Sequence, residues 1–193
     1  MDADLSMLKG PYDVIVVDPP WKYSGDQHKM GAAANHYPTM TFKELTRMRD
    51  AIQELLAPKG VLFMWATGPK LDVAIRLLYR WELYYRGMGF VWVKTTKAGK
   101  PIGASGVRPS IIKPITEFVL MASKVKEGRP MKLYDESIVQ TVFAPKPANH
   151  SEKPREVYDR IELLYPYARR IDMFARRQVS HVWESWGNEL SEE

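Results

Sequence analysis

A chain of 193 residues with 45% hydrophobic content is long enough to bury a core, and one domain spanning residues 1–193 is expected. The absence of cysteine excludes disulfides and thiolate metal sites and fits a reducing cytoplasm; the four histidines (His28, His36, His150 and His181) form no ligand spacing, so no metal is expected. A net charge of +5 leans toward a polyanionic partner, while Asp2, Asp4 and the lack of an apolar run of about 18 residues argue against a signal peptide and a membrane span.

The first predicted element is the β-branched run Val14-Ile15-Val16-Val17, a buried strand that stops at Asp18-Pro19-Pro20-Trp21. Lys22 to Met40 is polar, contains glycine and is too long for a tight turn, which suits a functional lid or a disordered loop. A helix is predicted from Thr41 through Leu56, with Thr41 as cap and Glu44 completing a capping box. Pro58-Lys59-Gly60 reads as a turn into a second strand, Val61 to Trp65. Lys70 to Trp81 has helical spacing through Leu71, Ala74, Ile75 and Leu78. Phe90 to Lys94 and Glu117 to Met121 read as strands, with Ile138 to Phe143 as another. A helix from Pro154 to Leu164 and a strand from Arg170 to Phe174 complete the series. Strands separated by helices imply an α/β fold with a mostly parallel sheet covered on both faces. The Gly/Lys-rich segment Thr95 to Arg108 and the two termini are expected to be disordered.

The densest signal is the strand that opens into Asp-Pro-Pro-Trp. The carboxyl edge of an open α/β sheet is where ligands bind. This tetrapeptide delivers a carboxylate (Asp18), a fixed carbonyl (Pro19) and an indole (Trp21) to that edge. The set suits a flat, amine-bearing base, although an ordinary strand-ending turn over a buried tryptophan would look the same. The prolines remove backbone donors and fix φ, so that Pro19 and Pro20 hold the carbonyls on aim. Lys94, Lys97, Lys100 and Arg108 share one stretch with no acid, which fits a loop that tracks phosphates or a solvated surface loop.

These motifs occur in one order with His36-Tyr37-Pro38-Thr39-Met40, LFMWAT at 62–67, VWVKT at 91–95, HSEKPREVYDRIE at 150–162, RRIDMFAR at 169–176 and WGNEL at 186–190. Together they resemble the family of DPPW adenine methyltransferases, which includes the catalytic subunit of the mRNA adenosine methyltransferase complex and bacterial and phage members. The resemblance covers residues 11 to 190. It implies a Rossmann-like three-layer methyltransferase fold, S-adenosylmethionine as cofactor, and methylation of the N6 amine of adenine.

The resemblance also assigns roles. Asp18, Pro19, Pro20 and Trp21 stand at the catalytic positions, with Asp18 also beside the cofactor. Asp172 matches the acid that takes the cofactor's ribose hydroxyls, although a strand-end turn or helix cap is the alternative. Lys153 matches the lysine at the cofactor's methionine end, against a solvated-surface alternative. Ser151 neighbours it and is equally suited to capping a helix. Arg176, Asn188 and Glu189 fall around the cofactor's ribose and adenine, with Glu189 where an amide is common. Phe174-Ala175-Arg176 stands where other methyltransferases carry a glycine-rich loop. Tyr23, His36, Tyr37, Lys94 and Glu117 are the substrate-side candidates. Glu117 would read a polar edge of the base or serve in an inward structural pair. The expected substrate is DNA, favoured over RNA because the chain lacks the zinc fingers and long N-terminal regions of the eukaryotic enzymes. Methylation of RNA and a catalytically silent nucleic-acid-binding subunit are the alternatives, and a homodimer is compatible with the sequence.

Overall fold

The run Val14–Val17 is apolar on both faces, and this places it in the middle of a sheet. In the computed structural model, which describes residues 5–22, 39–102, 114–147, 152–188 and 190, strand β1 (Tyr12–Val17) pairs in parallel with β2 (Leu56–Thr67) and with β6 (Arg170–Met173). The sheet has the order β5-β3-β4-β2-β1-β6-β7, with β3 at Tyr84–Thr95, β4 at Thr116–Ser123, β5 at Thr141–Pro145 and β7 at Glu184–Trp186. Strand β4 alone is antiparallel to its neighbours, β2 and β3. Its reversal follows from the link between β3 and β4, where the sequence carries no helical pattern to return the chain.

Alternation along the strands sends side chains to two apolar layers. Ile15, Val17, Leu62, Met64, Ile171 and Met173 pack beneath helices α1 (Phe42–Thr46), α2 (Arg49–Leu55) and α3 (Leu71–Arg80). Val14, Val16, Phe63, Trp65 and Trp92 pack beneath helix α4 (Arg155–Leu164), which contributes Val157, Tyr158 and Ile161. The result is the expected α/β, three-layer, Rossmann-like arrangement. Among the described residues no helix is long and apolar enough to cross a membrane.

Several elements differ from expectation. The helix predicted from Thr41 is two helices, because Met48 N–H bonds Leu45 O three residues back and tightens the turn between them. The capping box itself is present: Thr41 N–H donates to Glu44 Oε2 at 2.7 Å and Glu44 N–H to Thr41 Oγ1 at 3.3 Å. Pro58-Lys59-Gly60 is not a turn between elements but a bulge inside β2, where the register against β1 jumps between Tyr12 and Val14. Gly60 suits the close approach there, since a Cβ would lie 3.0 Å from Asp13 O and 2.7 Å from Leu56 Cδ1. Strand β5 begins at Thr141, three residues after the predicted start. The predicted last strand is followed by β7, which β6 holds in register from Ile171 to Met173. Thr95, expected in a disordered segment, closes β3 with 2% exposure, and Thr96 to Ile102 form a turn bonded through Lys100 O and Lys94 O.

Candidate active site

Asp18 leaves β1 at the carboxyl edge of the sheet. The same edge receives the ends of β2, β3 and β6 and, because β4 is reversed, its beginning. This one topological fact gathers Asp18, Lys94, Glu117 and Asp172, which are far apart in sequence. Lys153 joins them from the residue before the cap of α4.

The charges form a chain. Lys153 Nζ lies 2.9 Å from Asp18 Oδ2 and 3.2 Å from Glu117 Oε2, and Lys94 Nζ lies 2.5 Å from Glu117 Oε1. Each ammonium also sits over an indole, Lys153 at 5.2 Å from the Trp65 ring and Lys94 at 5.0 Å from that of Trp92. The two indoles meet edge to face with centroids 6.3 Å apart. The strand tryptophans therefore floor the site and hold both lysines in place. Burial pushes the Glu117 carboxyl up, but Lys153 and Lys94 outweigh it and bring it down to about 2. Burial lowers the affinity of Lys153 for its proton, yet the two carboxylates more than reverse this and hold the ammonium charged. Asp18 keeps 28% of its side chain open to solvent. Burial raises its carboxyl despite the neighbouring Lys153, with Glu117 adding to the rise and Arg176 opposing it.

Asp172 is enclosed, at 6% exposure, and accepts a hydrogen bond at Oδ2 from the Tyr158 hydroxyl at 3.1 Å. Burial pushes its carboxyl up to about 8. Register places it between Val16 of β1 and Ser185 of β7, on the face covered by α4.

The turn after Asp18 is tied on several sides. Trp21 N–H bonds Pro19 O at 2.8 Å, which occupies one of the two lone pairs of that carbonyl. Met40 N–H takes Pro20 O at 2.8 Å, and Lys70 Nζ donates to Lys22 O at 2.8 Å. The Trp21 ring is 6% exposed and packs with the core beneath α1–α3, so it braces the turn as much as it lines the edge.

Of the residues predicted for the site, the structure gathers Asp18, Lys94, Glu117, Lys153 and Asp172. It places Arg176 half-buried in the loop after β6 and Asn188 exposed just past β7. Tyr23, His36, Tyr37, Ser151 and Glu189 lie outside the described residues. Lys94 is drawn out of the basic loop into the ion-pair chain, whereas Lys97 and Lys100 are exposed. Both Glu117 oxygens are engaged by lysines, which is the inward pairing weighed as its alternative. Sequence reasoning missed Trp65, Trp92, Tyr158, Lys70 and Gly187. The tryptophans and Tyr158 carry the signal of aromatic residues with polar tips inside buried runs; Lys70 has no such signal.

The missing glycine-rich loop is answered from another part of the chain. Phe174 takes φ of 62° without being glycine. The close approach is supplied by Gly187, where a Cβ would stand 2.1 Å from Ala175 O, and Ala175 N–H bonds Trp186 O at 2.9 Å. The donor set fits S-adenosylmethionine: an ammonium for its carboxylate, a carboxylate for its ribose diol, and a tight glycine approach beside both Asn188 and the loop that bears Arg176.

The profile of the MT-A70 family matches residues 12–189. The Type II methyltransferase M.MunI of Mycoplasma sp is 30% identical over 93% of this chain and 78% of its own length. The N(6)-adenosine-methyltransferase catalytic subunit METTL3 of Homo sapiens is 30% identical over 97% of this chain and 29% of its own. The probable N(6)-adenosine-methyltransferase MT-A70-like protein of Oryza sativa subsp. japonica is 31% identical over 95% and 24%. The chain thus spans most of the mycoplasmal protein and less than a third of these two eukaryotic ones.

Proposed function

The chain belongs to the MT-A70 family of adenine-N6 methyltransferases, and on that premise we propose that it methylates adenine in DNA at the edge where Asp18 emerges. The observation that carries this is the chain Lys94–Glu117–Lys153–Asp18, which holds an acceptor and a cation side by side at the mouth of the sheet. When bound, S-adenosylmethionine supplies a methyl group on a sulfonium, an electrophile that needs only a localised lone pair to attack it.

The chain's residues provide that localisation. The N6 amine of adenine is a poor nucleophile because its lone pair is delocalised into the ring. Asp18 accepts one amine hydrogen and the second lone pair of the Pro19 carbonyl the other. Two fixed acceptors draw the lone pair onto nitrogen and stabilise the positive charge that develops there. Each is worth about 3 kcal/mol in the transition state. Asp18 is not asked to deprotonate the neutral amine; after transfer, when the nitrogen is cationic and acidic, its proton passes to the Asp18 carboxylate it is hydrogen-bonded to and from there to solvent. Lys153 would hold the cofactor's carboxylate, Asp172 the ribose hydroxyls, and Arg176 and Asn188 the remainder of the nucleoside. Trp21 fixes the turn against which the base is held.

The preference for DNA leans on the Type II methyltransferase, of which this chain spans the larger share. Reaching an adenine in duplex costs a few kcal/mol of unstacking, so single strands are expected to react faster. The deciding experiment incubates the protein with methyl-labelled S-adenosylmethionine and matched single-stranded DNA, duplex DNA or RNA, followed by digestion to nucleosides. Label in N6-methyladenine from DNA supports the proposal. Label from RNA alone overturns the choice of polymer, and no label with the cofactor bound points to a subunit that requires a partner.

A further inference from the structure

We propose that Tyr158 is a positioning residue for the cofactor, aiming the Asp172 carboxyl group through a hydrogen bond from its hydroxyl. The inference rests on the reading of Asp172 as the ribose-binding acid. Tyr158 is one turn into α4, while Asp172 lies on β6; the hydroxyl donates across this gap to Oδ2 at 3.1 Å. The phenol ring cannot swing away, because it packs edge to face on Trp183 with centroids 5.2 Å apart. Trp183 is itself anchored by its indole N–H to Glu162 Oε1 at 2.8 Å. The donor is thus fixed from behind, and one oxygen of Asp172 is committed to it. The other oxygen is the one this reading assigns to the ribose hydroxyls.

The charges facing Asp172 are few. From β1, Asp18 disfavours ionisation; from the approach to α4, Lys153 favours it; from α4, Tyr158 stabilises the anion; from β7, the neighbour is the neutral Ser185. Burial is the largest influence and acts against the anion. Without the hydroxyl nothing on α4 opposes it directly. Lys153, held charged by two carboxylates, does not titrate in the same range.

The test is the affinity for S-adenosylhomocysteine, by calorimetry from pH 6 to 9.5, in the wild-type protein, Tyr158→Phe, Asp172→Asn and the double variant. Phenylalanine keeps the ring on Trp183 and removes only the donor. Wild-type affinity is expected to improve with pH up to a knee near 8. In Tyr158→Phe the knee moves up by about one pH unit, with about tenfold weaker binding below it and convergence above. The Asp172→Asn profile removes the ligand's own titration from the comparison, and adding Tyr158→Phe to it should change nothing further. Uniform weakening at every pH, an unmoved knee, or an equal effect of Tyr158→Phe in the Asp172→Asn background would each overturn the proposal. So would a wild-type profile without a knee, which settles the matter even if Tyr158→Phe fails to fold. No binding by the wild-type protein at any pH would overturn the cofactor reading itself, and this inference with it.

Discussion

Glu117 holds two ammonium groups at once, and its removal should be felt in stability before it is felt in chemistry. Glu117→Gln leaves Lys94 and Lys153 under-compensated in a site where their side chains are only 17% and 12% exposed. The expected loss is about 3 kcal/mol at neutral pH, read from chemical denaturation. The Glu117 carboxyl is depressed from 4.5 to about 2 in the fold, so its contribution is complete above 4.5 and vanishes as pH falls through 2. The wild-type and Glu117→Gln melting temperatures should therefore converge across that window. Asp172 behaves in the opposite sense. Its carboxyl is raised from 3.8 to about 8, so its favourable contribution is complete below 3.8 and is lost as pH rises toward 8. Asp172→Asn should melt higher than wild type at pH 9, with the gap closing toward pH 4, while cofactor binding is weakened but still measurable. Asp18→Ala should lower methylation about 10²-fold and leave binding of nucleic acid in place, by analogy with the loss of one preorganised partner. Unchanged methylation in that variant would sink the mechanism.

Strand β7 and the loop after β6 behave as one piece. Gly187 allows the backbone of one to lie on that of the other, and Asn188 follows at once. Gly187→Ala pushes a methyl group into Ala175 O, at an expected cost of about 3 kcal/mol and with weakened cofactor binding. A melting temperature equal to wild type would show that β7 can shift away freely. The capping box, the β1 run and the α4 periodicity were legible because each depends on residues within one turn or one strand. The bulge at Gly60 and strand β7 were not, since both are fixed by a neighbour far along the chain: Asp13 for the first and β6 for the second.

Two apolar layers share one sheet, and neither can lose its helices without exposing the strands of the other. Unfolding is expected to be one cooperative transition, with far-ultraviolet circular dichroism and tryptophan fluorescence giving the same midpoint. Separate midpoints would mean that the α1–α3 layer and the α4 layer part independently. The net charge of +5 is expected to make nucleic-acid affinity fall steeply with salt. Replacing both Lys97 and Lys100 by alanine should reduce the slope of log affinity against log salt by about two if the turn beside the site meets phosphates. An unchanged slope would assign those lysines to solvent.

The order of the first six strands, the Asp-Pro-Pro-Trp turn at a sheet edge and the choice of the charged residues that the fold gathers there were legible in the sequence alone. Periodicity and turn chemistry are local properties, and a carboxylate before two prolines carries its meaning wherever the chain goes. Only the tertiary structure decided what those charges face. The reversal of β4 set Glu117 between Lys94 and Lys153, α4 laid Tyr158 on Asp172, and two buried tryptophans became platforms for ammonium groups. The energy of a buried charge depends on its partners and its solvent, and the fold chooses both.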